Sequence, residues 1–74
     1  MSTVTDAVRE QLMATSIEYQ RLREEHTRHA ARLEELLSKR YLTEQEKIEE
    51  IRLKKLKLHL KDEMEMLVQR ARAR

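Results

Sequence analysis

Apolar and near-apolar side chains recur along the first half of the chain at alternating steps of four and three. Val8, Leu12, Thr15, Tyr19, Leu22, His26, His29, Leu33 and Leu36 follow one another at spacings of 4, 3, 4, 3, 4, 3, 4 and 3, the alternation of a heptad seam. At about 100° per residue these positions, with Val4, Ala30 and Leu37, occupy roughly one third of a helix circumference. Charge fills the rest: Arg9, Glu10, Glu18, Arg21, Arg23, Glu24, Glu25, Arg28, Arg32, Glu34 and Glu35. In the pairs Glu24–Arg28 and Glu35–Lys39 the acid lies four residues ahead of the base, the better orientation on a helix. Met13 and Ile17 fall off the stripe as a small exposed patch. The pattern predicts one helix, apolar on one side, over residues 3–37.

The second half is patterned differently. In "RLKKLKLHLKDE", residues 52–63, leucine alternates with Lys and His from Leu56 to Leu60, which alone has the period of a strand. With its flanks the segment resolves into two helical stripes. One holds Leu53, Leu56, Leu60, Met64, Leu67 and Ala71, spaced 3, 4, 4, 3 and 4. The other, on nearly the opposite side, holds Ile48, Ile51, Leu58 and Met66 and is interrupted by Lys55 and Asp62. A helix apolar on two sides needs two partners. The first helix has one face to offer and covers only one stripe; the pattern leaves open which. The other stripe must meet a second chain or another protein.

Between the halves, Thr43-Glu44-Gln45-Glu46 reads as a capping box, with the Thr43 hydroxyl accepting from the Glu46 amide and the Glu46 carboxylate from the Thr43 amide. Lys39 and Arg40 near one helix end and acids in the next first turn complement the two helix dipoles. The expectation is a turn over residues 38–42 and a second helix over 43–72, rather than one unbroken helix about 100 Å long.

Composition sharpens this picture. The chain has no glycine and no proline, where ordinary usage would supply about nine, so a hairpin-rich β fold has no turn residues to work with. Ala, Glu, Lys, Leu and Arg make up 45 of the 74 residues, above the ~50% typical of long helices and coiled coils. At this length a single core barely offsets the entropy of ordering the chain, and self-association is the usual remedy. The absence of cysteine excludes disulfides and Cys-containing zinc sites. With neither a signal-peptide pattern in residues 1–20 nor a spanning apolar run, the expected location is the cytoplasm.

Residues 19–67 resemble a known family. "HTRHAARLEELL" followed by "EKIEEIRLKKLKLHLKDEMEML" is similar to the small bacterial YdcH-like proteins, a domain of unknown function with a His in the first helix and a lysine-rich leucine run in the second. His26 and residues Leu53 to Glu63 take those places. His29 departs from the aliphatic residue expected there, and the turn lacks glycine. The resemblance implies an α-helical hairpin that tends to associate, and it supplies no activity.

The candidate chemistry is sparse. His26 and His29 are one turn apart on the apolar stripe, but no Glu-x-x-His motif of bundle metal sites accompanies them or His59. They read as neutral seam histidines, with Asp62 or Glu63 as the partner if the helices pair antiparallel. A pH-sensing role is the alternative, because two protonated rings would loosen the seam. Lys54, Lys57 and Lys61 point to one side of the second helix, Arg52 and Lys55 elsewhere. Their stems can cover apolar surface while the ammoniums stay in water, or with Arg52 they can contact phosphates. The net charge is only +2, well below that of a strongly basic nucleic-acid domain, and Tyr19 and Tyr41 are the only aromatics for stacking on bases. The tail Arg70, Arg72 and Arg74 adds solvated charge. No serine or threonine stands at a recognisable spacing from a base, and neither helix has the broad aromatic-rich face of a membrane-lying segment.

The sequence therefore predicts a single all-α domain, 1–74: an antiparallel two-helix hairpin with coiled-coil-like packing that dimerises into a four-helix assembly. The expected function is a non-enzymatic protein–protein interaction module, a small adaptor or assembly factor without a cofactor. Its candidate surface is Ile48, Ile51, Leu53, Leu56, Leu58, Leu60, Met64, Met66 and Leu67. The alternative is a weak nucleic-acid accessory using Arg52, Lys54, Lys57 and Lys61.

Overall fold

The computed structural model describes residues 3–73, which are helical apart from short connections and contain no strand. Arg74 of the basic tail lies outside the described residues. Three helices follow in order: α1, Thr3–Thr15; α2, Ile17–Ser38; and α3, Glu44–Arg72. The single helix expected over 3–37 is thus two helices, and the two-helix description becomes a three-helix one.

The interruption is at Ser16. Its backbone is extended, at φ −103° and ψ 112°, and its side chain caps α2 by accepting from the Tyr19 amide at 3.1 Å. The Ser16 amide still donates to the Leu12 carbonyl at 2.8 Å, closing the last turn of α1, and Gln20 Nε2 donates to the Met13 carbonyl across the break at 2.6 Å. The local cause is legible in Thr15-Ser16-Ile17: two β-branched residues flank a serine, which competes for backbone hydrogen bonds and favours an N-cap over a helix interior. The heptad spacing passes through this point unchanged, and so concealed it. A straight helix over 3–37 would be about 52 Å long, longer than the 47 Å greatest extent of the molecule. Breaking at Ser16 lets α1 fold onto the other two helices.

α2 and α3 pass in opposite directions. Arg32 meets Glu49, while His26 lies by Lys57 and Lys61 and Tyr19 shares a pocket with Met64, so positions rise on one helix as they fall on the other. The core at the turn end is Leu33, Leu36 and Leu53, closed by half-buried Leu42. Towards the other end α3 buries Leu60 and Val68 and α2 buries Tyr19. Half-buried Val8, Leu12, Leu22, His26 and His29 continue the seam.

The connection between α2 and α3 covers residues 39–43, and Thr43 is the N-cap of α3 with both halves of the capping box in place. The Glu46 amide donates to Thr43 Oγ1 at 3.1 Å and the Thr43 amide to Glu46 Oε1 at 3.0 Å. Lys39 donates to the same carboxylate. Held by Lys39 and by the Thr43 amide, the Glu46 carboxyl is pulled down to about 2. Among the described residues none has a positive φ, so the turn is made without the left-handed conformation for which glycine is the usual solution.

Candidate functional site

Two surfaces stand out once the helices are placed, and both involve α3. Of its two stripes, the one containing Leu53, Leu60, Met64, Leu67 and Ala71 faces α1 and α2. Leu56 belongs to it by spacing but sits on its edge and stays 37% exposed. Val68, absent from the expected surface, is fully buried. The signal for it was present: it lies four residues after Met64 and eight after Leu60, positions that share a helix face. Glu46, Glu50 and Lys57 also fall on this side and are half-buried, so the inner seam is more polar than the apolar stripe alone suggests.

The opposite face of α3 is the more apolar surface left to solvent. Ile48, Ile51, Leu58 and Met66 are 56–60% exposed. Ile48, Ile51, Arg52, Lys55, Leu56 and His59 line a shallow groove of about 450 Å³ on this side. Lys55 and Asp62 are spaced seven residues apart along it. Met13 and Ile17, expected to be exposed, are 36% and 65% exposed at the α1–α2 break.

The second surface is a pocket of about 340 Å³ where the three helices meet, lined by Arg9 from α1, Tyr19, Arg23 and His26 from α2, and Lys61, Met64 and Glu65 from α3. Arg9 Nη2 donates to Glu65 Oε1 at 2.5 Å and ties α1 to α3. Burial, then the charges of Lys57, Lys61, Arg23 and His29, hold the His26 imidazole below its ordinary 6.5. The expected carboxylate partner is not there: Glu63 instead lies 3.1 Å from His59 Nε2, one turn away on α3. A histidine in this seam therefore faces cations, because the antiparallel register brings Lys57 and Lys61 alongside it where the helical pattern alone left Asp62 and Glu63 as candidates.

The basic residues proposed for phosphate have different surroundings. Arg52 lines the apolar groove, Lys61 the three-helix pocket, Lys57 is half-buried in the seam, and Lys54 leans towards Glu50 at 3.9 Å. Sequence reasoning missed the most elaborate ion contact, at Arg32. Its guanidinium engages both oxygens of Glu49 on α3, at 2.8 and 2.9 Å, and Glu35 on its own helix at 2.8 Å. These bonds raise the Arg32 pKa and lower that of Glu49. A two-pronged grip across helices fixes register as well as adding charge attraction. The residues are seventeen apart, so nothing in local spacing announces the pair.

Among the described residues no three metal-ligating side chains cluster, and no helix is long and apolar enough to cross a membrane. Comparison of the chain with protein-family profiles, with curated proteins and with solved structures finds no match.

Proposed function

We propose that this chain is a non-enzymatic interaction module, a small adaptor or assembly factor, that works as a pair of copies joined through the outer face of α3. The observation that carries the reading is the exposed row Ile48, Ile51, Leu58 and Met66, set on the side of α3 away from its own core. On so small a chain an apolar row of this kind marks an interaction surface.

The charges interrupting the row favour a second copy as the occupant. A parallel pairing sets Lys55 against Lys55 and Asp62 against Asp62, and like charges repel. An antiparallel pairing about a two-fold axis beside Leu58 brings each Lys55 to the height of the other copy's Asp62, and Ile51 to that of Met66. The same patch serves both copies, as a two-fold interface requires. Four long helices, two α2 and two α3, then form the core of the assembly. The resemblance of residues 19–67 to YdcH-like helical proteins that tend to associate is part of this proposal, as is a cytoplasmic setting.

Sedimentation velocity at near-physiological salt tests it, with and without a short labelled duplex. The expected result is a species of twice the chain mass that ignores the duplex. Lys55→Asp alone should dissociate it, and Lys55→Asp with Asp62→Lys should restore it. A monomer at about 100 µM would overturn the pairing. Co-sedimentation with the duplex that weakens steeply with added salt would place nucleic-acid binding ahead of it.

A further inference from the structure

The ion contacts between helices are concentrated at the turn end. At the turn end each interhelical cation meets a carboxylate, Arg32 with Glu49 and Lys39 with Glu46. In the three-helix pocket only Arg9 does, through a single contact from Nη2 to Glu65. Arg23 and Lys61 point into the same pocket, and among the described residues no carboxylate lies within ion-pair distance of either. The formal charge of the lining residues is +2 with His26 neutral. Beside these cations the lining is apolar: Met64 is half-buried, and Tyr19, at 2% exposure, backs the pocket from inside the core. Converging donors over an apolar floor, in about 340 Å³, match the lower end of the ~300–1,000 Å³ range of small-molecule sites.

We propose that this pocket binds a small phosphomonoester, its dianionic phosphate held by Arg23 and Lys61 with Arg9 as a third donor, and its organic group resting on Met64. Arg9 serves two acceptors because its one contact to Glu65 leaves other guanidinium N–H groups for the phosphate. His26 sits beside the phosphate and reports its arrival. The groups facing the imidazole are Arg23 and His29 from its own helix and Lys57 and Lys61 from α3, with Arg9 and Glu65 across the pocket. All but Glu65 are cations or imidazole, so the empty pocket disfavours the imidazolium, and a dianion within about 4–6 Å favours it. A phosphodiester carries a single charge and suits the site less. The site takes Lys61, Met64 and Glu65 from α3 and shares no residue with the pairing row Ile48, Ile51, Leu58 and Met66.

The experiment is a titration of the His26 ring signals by nuclear magnetic resonance on the full chain. It is run in chloride, inorganic phosphate and phenyl phosphate at matched ionic strength. Phenyl phosphate should give saturable shifts at Tyr19, Arg23, His26 and Lys61 and raise the His26 midpoint by about one pH unit. It should bind more tightly than inorganic phosphate. Arg23→Gln and Lys61→Gln should each weaken it roughly tenfold while leaving helicity and the thermal midpoint in place. The Ile48→Glu chain, altered in the pairing row but thirteen residues from Lys61, should bind it unchanged. A His26 midpoint identical in chloride and phenyl phosphate would overturn the proposal. So would an equal loss on Lys54→Gln, outside the pocket, since that would mean diffuse charge attraction. Inorganic phosphate binding as tightly as phenyl phosphate would overturn the apolar half of the site, the contact assigned to Met64.

Discussion

The two faces of α3 are built from similar residues and meet opposite fates. Toward α1 and α2, Leu53, Leu60 and Val68 are buried at 6% exposure or less, although Glu50 and Lys57 interleave with them. Away from them, Ile48, Ile51, Leu58 and Met66 stay more than half exposed with Lys55 and Asp62 interleaved. The inner face is richer in apolar residues, with Leu53, Leu60, Met64, Leu67, Val68 and Ala71 against four outside, but the count alone brings no partner to either face. What separates them is the neighbour that the 39–43 connection and the Arg32–Glu49 grip bring alongside one and not the other. A charged residue inside a seam is tolerated where its head can reach the rim, so polar interruptions do not mark the outer face either.

The largest effect should come from the inner face. Leu60→Ala removes a buried side chain that few neighbours can replace, and should cost about 3 kcal/mol, read as a lowered urea midpoint. Leu60→Glu should abolish the helical signal. On the outer face, Leu58→Glu should leave helicity intact and halve the sedimenting mass. Leu56→Glu, on the border at 37% exposure, should fall between the two. Equal loss of helicity from the Leu58 and Leu60 glutamates would erase the distinction between the faces.

The caps test what delivers the inner partner. Thr43→Ala and Ser16→Ala each remove a side-chain acceptor from a helix N-terminus and should each cost about 1 kcal/mol. Their fates differ in place: amide exchange should quicken first around α1 in the Ser16 variant, and around the start of α3 in the Thr43 variant. A Ser16 variant more stable than the parent would mean that α1 and α2 prefer one continuous helix.

The smallest effect is the pH response of the seam. His26 is held below 6.5 in the folded chain, so between its folded and unfolded values the unfolded chain binds more protons, and stability falls as pH drops. The thermal midpoint should decline as pH is lowered from about 7.5 to 5.5, through the unfolded histidine value, and His26→Gln should flatten that decline. Glu46 works at the other extreme. Its carboxyl is drawn down to about 2, so its contribution is fully present above the unfolded glutamate value and is lost as pH falls through the folded one. A midpoint unchanged from 7.5 to 5.5 would show that neither burial nor the surrounding cations hold His26 down.

Much of the fold was legible because its causes are local. The absence of glycine and proline ruled out a turn-rich sheet, the 3–4 spacing marked helical faces, and Thr43 with Glu46 announced the start of α3 within four residues. Ser16 was equally local and could have been read from Thr15-Ser16-Ile17, but an uninterrupted heptad outweighed a single N-cap residue. The pocket was not legible: Arg9, Tyr19, Arg23, His26, Lys61 and Glu65 span fifty-six residues of sequence, and no spacing rule joins them.

The division between sequence and structure follows the range of the forces involved. Helix periodicity, capping and composition act within a turn or two, and by themselves they determined an all-helical chain whose last helix is apolar on two sides. Which side turns inward, where His26 finds its neighbours, and which cations are left without a carboxylate depend on register between helices. That register is chosen collectively, by Leu33, Leu36 and Leu53 closing one core and Arg32 gripping Glu49, and only the tertiary structure decided it.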